Sequence, residues 1–273
     1  MTLAVTVAVP EGVVDGADSR MTYNNPRGWP RIASDYGHKV FEITDRVAAA
    51  TFGWAFLNRK NINSLIEEFK LRQVAETKAK FTDEVIPLMA DFFQHQYDQH
   101  IAAGLDKAVA SGVYAFGFLV GGYDKSNITK LTELLIPGKI ITPRNGTGGP
   151  GAAWAGQIDT VSRLIKGWDP VIRQQVPAEV QTTLEKGEYL VRFQNMTLQD
   201  AIDFVVFLIR ATIDMQRFSD GTLVAPGALP GVGRPIDIAV VTPYVFRWVQ
   251  KKRLEGERTT IVETVGPEEE PSD

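Results

Sequence analysis

Residues 2–9 read Thr-Leu-Ala-Val-Thr-Val-Ala-Val, and after Pro10-Glu11-Gly12 a second run of apolar and β-branched residues carries the chain to Arg20. Alternation of this kind is the signature of extended strands, and a connection this tight leaves no room for the crossover that a parallel partner needs. The two runs therefore form an antiparallel hairpin. The pattern returns beyond the polar stretch Asn24 to Arg31, where Lys39–Ile43 and Val47–Phe52 flank Thr44-Asp45-Arg46 as a second strand pair. Four strands in hairpin order make an antiparallel sheet architecture the starting point for everything downstream.

Two helices follow these strands. Ile62, Leu65, Ile66 and Phe69 recur at helical spacing, as do Val85, Leu88, Met89, Phe92, Phe93 and Tyr97, with the second helix ending near Gly104. Each carries one apolar stripe, so each is expected to lie on a sheet. Gly112–Val120, Lys130–Ile136 and Lys139–Thr142 read as three further strands, followed by the glycine-rich loop Asn145–Gly151. A helix is expected around Ile158–Ile165 and a second polar-apolar stretch begins at Val176. Thr197-Leu-Gln-Asp200 resembles a capping box, and it opens a helix that the apolar spacing carries to about Ile213. The Pro/Gly-rich loop Gly221–Pro235 then leads to a closing strand pair, Ile236–Val241 and Tyr244–Val249. The expected fold is α+β: a four-layer αββα sandwich, with two stacked, mainly antiparallel sheets flanked by helices. One domain is expected over residues 1–255, with 256–273 as a polar, acidic, flexible tail.

Composition narrows the functional classes. The net charge is −4 and no basic block of five or more residues occurs, which argues against a nucleic-acid or anionic-membrane surface. Lys251-Lys252-Arg253, the densest basic run, reads as a solvated strand end. With no cysteine, disulfides, thiolate metal sites and a cysteine nucleophile are excluded. The first residues lack a basic n-region, and no apolar run reaches the ~18 residues of a membrane span, so a cytoplasmic location is expected.

Thr2 directly follows Met1. Removal of Met1 would give this residue a hydroxyl nucleophile and, beside it, a free α-amine with a pKa near ~8 that serves as a base. Asp18 lies 16 residues after Thr2 in an Asp-Ser-Arg-x-Thr context; Lys39 opens the third strand; and Gly53 ends the fourth, 14 residues after Lys39. In this joint spacing the chain resembles the N-terminal-nucleophile hydrolases, and within them the proteasome β-subunit family of threonine peptidases. Its departure is a loop between Arg20 and Lys39 that is about five residues longer than typical, in a surface turn where insertion is tolerated.

The resemblance implies roles for each residue. Lys39 as an ammonium would ease alkoxide formation on Thr2 and keep the α-amine neutral, and Asp18 would hold Lys39 charged and oriented. Gly53, lacking Cβ, would let a backbone N–H reach the oxyanion, a contribution of ~3 kcal/mol in such sites. Thr147, within Gly146-Thr147-Gly148, matches a serine in the family's Gly-Ser-Gly loop, and Asp214 and Ser219 are candidates for its supporting aspartate and serine. The implied activity is hydrolysis of a peptide or amide by a homo-oligomer, in some members a ring, without cofactor or metal. The alternatives are an inert scaffold subunit of proteasome-like type that acts through assembly, and an amidase acting on a small substrate.

Other signals point away from chemistry. His95 and His100 are five apart, on different helix faces, and read as a solvated pair; His38 reads as structural or exposed. The loop Asn145–Gly151 lacks the Lys-Ser/Thr ending and the glycine spacing of phosphate-binding loops. Trp29, Trp54, Trp154, Trp168 and Trp248 read as core or interface anchors.

Overall fold

The computed structural model describes residues 2–25, 27–222 and 225–253. Strands β1 (Leu3–Val9), β2 (Gly12–Asp18), β3 (Met21–Asn24), β4 (Pro30–Ser34), β5 (Val40–Thr44) and β6 (Val47–Gly53) come first, followed by the two-residue strands β7 (Phe56–Leu57) and β8 (Lys60–Asn61). Helix α1 (Ile62–Phe69) continues through a π-helical turn at Lys70–Val74 into α2 (Ala75–Thr77), and α3 (Thr82–Ala102) follows. Strands β9 (Phe116–Tyr123), β10 (Thr129–Ile136), β11 (Ile140–Pro143) and β12 (Gly151–Gly156) precede helices α4 (Asp159–Lys166), α5 (Pro170–Gln174), α6 (Ala178–Glu185) and α7 (Leu198–Phe218). Strands β13 (Gly221–Thr222), β14 (Ala225–Pro226), β15 (Ile236–Val241) and β16 (Phe246–Gln250) complete the described chain.

Two five-stranded sheets, both antiparallel throughout, carry most of these strands. The first has the order β12-β1-β2-β15-β16 and the second β11-β10-β9-β6-β5. Side-chain alternation along β1 explains how they pack. Leu3, Val5, Val7 and Val9 join Val205, Leu208 and Ile209 of α7 in one apolar cluster, whereas Ala4 and Ala8 join Ala48, Ala50 and Leu119 of the second sheet in another. The opposite face of the second sheet buries Phe116 and Phe118 against Phe69 of α1 and Met89 and Phe93 of α3. Large side chains therefore separate helices from sheets, whereas the layer between the sheets mixes many alanines with larger residues such as Phe52, Leu119, Tyr123 and Phe246.

Local chemistry places the helix ends. The Thr197 side chain accepts the Asp200 N–H, and the Asp200 carboxylate takes the Thr197 N–H in return, so the capping box expected from sequence is formed. Asn61 caps α1 by accepting from Ser64 N–H, and Asp169 caps α5 just ahead of Pro170 at its first turn.

Several expectations need correction. The polar stretch from Asn24 to Arg31 is not all loop: β3 and β4 pair there as a separate ribbon, Tyr23 opposite Arg31. The strand expected from Gly112 starts at Phe116 and runs on to Tyr123. β12 was not anticipated, and α7 extends five residues past Ile213 to Phe218. His100 is not solvated: it is buried, accepts the Asn58 N–H through Nδ1 and packs on Trp54. Lys252 is buried as well, ion-paired with Asp237, while Trp29 is exposed rather than anchored. The tail at 256–273 lies outside the described residues, and among those described no helix is long and apolar enough to cross a membrane.

Candidate active site

Asp18, the last residue of β2, has a fully buried carboxylate that accepts four hydrogen bonds. Its Oδ1 takes the Leu3 N–H at 3.0 Å and Lys39 Nζ at 2.9 Å; its Oδ2 takes Arg20 N–H at 2.9 Å and Gly233 N–H at 3.0 Å. One oxygen thus holds both the first amide of β1 and the ammonium of Lys39. Lys39 also donates to the Arg20 carbonyl at 2.5 Å, and its side chain is almost wholly buried. Burial pulls the Lys39 pKa below the ordinary lysine range, while the Asp18 charge and hydrogen bond oppose that shift. Arg20, sequence neighbour of this pair, turns its guanidinium to Asp35 instead, at 2.6 and 3.0 Å.

Thr2 is buried, with its backbone clamped by the end of β12. The Thr2 carbonyl accepts the Gln157 N–H at 2.6 Å, and a Cβ on Gly156 would stand 2.0 Å from that carbonyl oxygen. Gly156 also sits at φ +89°, so this position is doubly reserved for glycine. Gly53, closing β6, shows the same two properties: φ is +91°, and a Cβ would meet the Ala115 oxygen and Phe116 Cα at 2.5 Å. Thr2, Gly53 and Gly156 line one cavity of about 870 Å³. Its walls come from Phe52 and Gly53 at the end of β6, Tyr114, and residues within 156–172, 215–222 and 228–229; Asp18 and Lys39 are not among the lining residues.

Thr147 is not part of this arrangement. β12 runs antiparallel to β1, with Gly156 opposite Leu3 and Gly151 opposite Ala8, so the glycine-rich loop lies at the far end of β1 from Thr2. Asn145 and Gly149 fasten that loop to Thr129, which pairs with Tyr123 at the end of β9 remote from Phe116, the partner of Gly53. Thr147 itself is exposed, its carbonyl taken by Lys130. The loop that does reach Thr2 is Gly156-Gln157-Ile158-Asp159. A glycine immediately ahead of the helix at 159 was the available sequence signal, but it needed β12 to be seen first.

Ser219 lines the cavity with its hydroxyl donating to the Met215 carbonyl at 2.8 Å. Asp214 pairs with Arg210 at 3.2 Å and Arg234 at 3.8 Å and is not among the lining residues. Among the described residues, no cluster of three or more metal-ligating side chains occurs.

Chemically, the site offers a threonine beside the cavity, a buried cation on a fixed carboxylate, and glycine-lined backbone next to an open volume. No protein-family model matches the chain, and no curated protein matches it in sequence.

Proposed function

We propose that the chain is an amide-bond hydrolase of the N-terminal-nucleophile type, similar to proteasome β-subunits, with a four-layer αββα arrangement of helices and sheets. The observation that carries this reading is the shared oxygen: Asp18 Oδ1 bonds to the Leu3 N–H and to Lys39 Nζ together, which ties the start of β1 to a buried ammonium. Cleavage of the Met1–Thr2 bond would free an α-amine next to the Thr2 hydroxyl. That amine removes the hydroxyl proton as Thr2 Oγ1 attacks the substrate carbonyl, then delivers it to the leaving amine. Water, activated by the same amine, releases the acyl group from the ester. Lys39 stabilises alkoxide character and disfavours a second cation beside it, and Asp18 positions Lys39. Gly53 leaves its backbone close enough to the cavity to donate to the oxyanion.

Two measurements test this. Intact mass of the purified protein should show loss of Met1. An electrophilic β-lactone should then acylate Thr2, and the label should disappear in Lys39→Ala. Undiminished labelling in that variant, at a temperature where it is folded, would remove Lys39 from the mechanism.

A further inference from the structure

We infer that the β3–β4 ribbon is a docking surface whose occupant is the chain's own acidic segment, residues 254–273. The ribbon does not line the cavity beside Thr2, so the inference stands apart from the reading of Thr2 as nucleophile.

Among the described residues β3 and β4 pair only with each other and join neither five-stranded sheet. A two-stranded ribbon with no covered face is marginal in water. This one nevertheless exposes large side chains: Trp29 is 64% exposed, and Tyr23, Ile32 and Tyr36 are each about half exposed. Register gathers three residues on one face. Tyr23 lies opposite Arg31, and the Asn25 N–H, two residues on, donates to the Trp29 carbonyl at 2.9 Å, so Tyr23, Trp29 and Arg31 share a side. Asn25 Oδ1 also accepts the Arg27 and Trp29 N–H groups at 2.9 and 3.0 Å, which fixes the turn that carries Arg27. Arg27 and Arg31 are exposed and, among the described residues, take part in no ion pair. Residues 21–34 contain no Asp or Glu, so positive charge stands uncompensated beside aromatic surface.

The complementary chemistry lies in the same chain. Residues 254–273 hold seven carboxylates and one arginine, a charge of −6, which leaves +2 on residues 1–253 of the total of −4. Six of the seven residues 259–265 are β-branched, and Ile261, Glu263 and Val265 alternate, a spacing that sets two apolar side chains and a carboxylate on one side of an extended segment. Glu268-Glu269-Glu270 follow. The point of departure fits as well. β2 ends at Asp18, opposite Ile236 of β15, and the ribbon begins three residues later at Met21. At that same end of the sheet Gln250 donates to the Ile236 carbonyl at 2.7 Å and the Lys252 N–H donates to Asp237 Oδ1 at 2.8 Å. The chain thus passes Arg253 at the sheet end from which the ribbon also departs. Residues 254–258 span up to ~17 Å, and the seven that follow cover ~23 Å when extended, more than the ~17 Å of a five-residue strand. Running from base to tip, the segment brings Ile261 and Val265 over Tyr23 and Trp29, Glu263 toward Arg31, and the three glutamates toward Arg27 at the turn.

The chain has no cysteine, so an introduced pair supplies the only thiols. The test combines Asn24→Cys, at an exposed position near the ribbon's tip, with Thr264→Cys in the full-length protein and treats it with a short bismaleimide. Ala103→Cys with Thr264→Cys, the former exposed just past α3 on the helical layer of the second sheet, is the reference pair. The ribbon pair is expected to form a link within one chain about tenfold faster than the reference pair, read by peptide mass and denaturing electrophoresis. Adding Arg27→Glu and Arg31→Glu, both at exposed positions, should slow that link about fivefold while the melting temperature stays in place. Equal rates for the two pairs, or a rate that charge reversal leaves unchanged, would overturn the inference. A product linked between two chains in place of within one would overturn it too, and would assign the surface to a second copy.

Discussion

At the scale of single residues, the site depends on a few positions where one atom decides. Gly156 is the plainest: alanine there puts Cβ within 2.0 Å of the Thr2 oxygen, so the start of β1 must move. Gly156→Ala should therefore slow β-lactone labelling of Thr2 at least a hundredfold, while urea denaturation shows a loss of only ~1–3 kcal/mol. Asp15 gives a second, independent case. Its carboxyl is fully buried between the sheets, with Oδ1 accepting the Thr6 hydroxyl at 2.7 Å and Oδ2 without a partner among the described residues. Burial pushes its pKa up to about 7, against the lowering effect of the Thr6 hydrogen bond. Between the unfolded value near ~4 and about 7 the native state binds more protons than the unfolded one, so this group's contribution is greatest below pH ~4 and is lost as pH rises to 7. The slope is at most ~1.4 kcal/mol per pH unit. Melting curves for Asp15→Asn should show the wild type losing stability relative to the variant across that window; parallel curves would mean that Asp15 is ionised throughout. The place of Asp18 beside the start of β1 was legible because the β1–β2 hairpin fixes its spacing, whereas its pairing with Lys39 crosses the β3–β4 ribbon and joins the two sheets, a contact that spacing alone does not fix. Thr147 misled because a short Gly-x-Gly pattern carries no information about which end of a strand it joins.

At the scale of elements, strong periodicity was readable and weak periodicity was not. β1, β2, β5 and β6 are short, mainly apolar runs with β-branched residues bounded by turn residues, and α7 announces itself with a capping box and a regular apolar stripe. Thr197→Ala removes the side-chain acceptor for Asp200 N–H and should cost ~1 kcal/mol in urea denaturation. No change in that midpoint would show that the first turn of α7 is held by packing alone. β12, by contrast, reads Gly-Ala-Ala-Trp-Ala-Gly, with glycine and alanine at most positions. Such residues have little strand preference of their own; pairing with β1 makes them a strand, and that pairing is a tertiary fact. The ribbon of β3 and β4 escaped notice for a related reason: it is exposed over much of its length, so burial imposes no alternation on it. Missing β12 also hid Gly156 and Gln157, the residues that clamp Thr2.

At the scale of the whole molecule, the candidate site is split between the two sheets. Thr2 immediately precedes β1 and Asp18 ends β2 of the first, Gly53 ends a strand of the second, and Lys39 immediately precedes β5 of the second. Their relative position is therefore set by the distance between sheets, which the small residues between them control. Gly121 of β9 shows how close the approach is: a Cβ there would lie 2.7 Å from Thr6 Cγ2 and 2.8 Å from Val13 Cγ1, side chains of the facing sheet. A methyl group at this point must push the sheets apart or displace both side chains, at ~1–3 kcal/mol. Leu208 offers the contrasting perturbation. It is fully buried between α7 and the outer face of the first sheet, and its truncation to alanine leaves a cavity worth ~2–5 kcal/mol without altering what lies between the sheets. Gly121→Ala is thus expected to lower the rate of Thr2 labelling more than Leu208→Ala does, although Leu208→Ala is the more destabilising of the two. Labelling rates that simply followed the melting temperatures of the two variants would show that sheet separation does not govern the site.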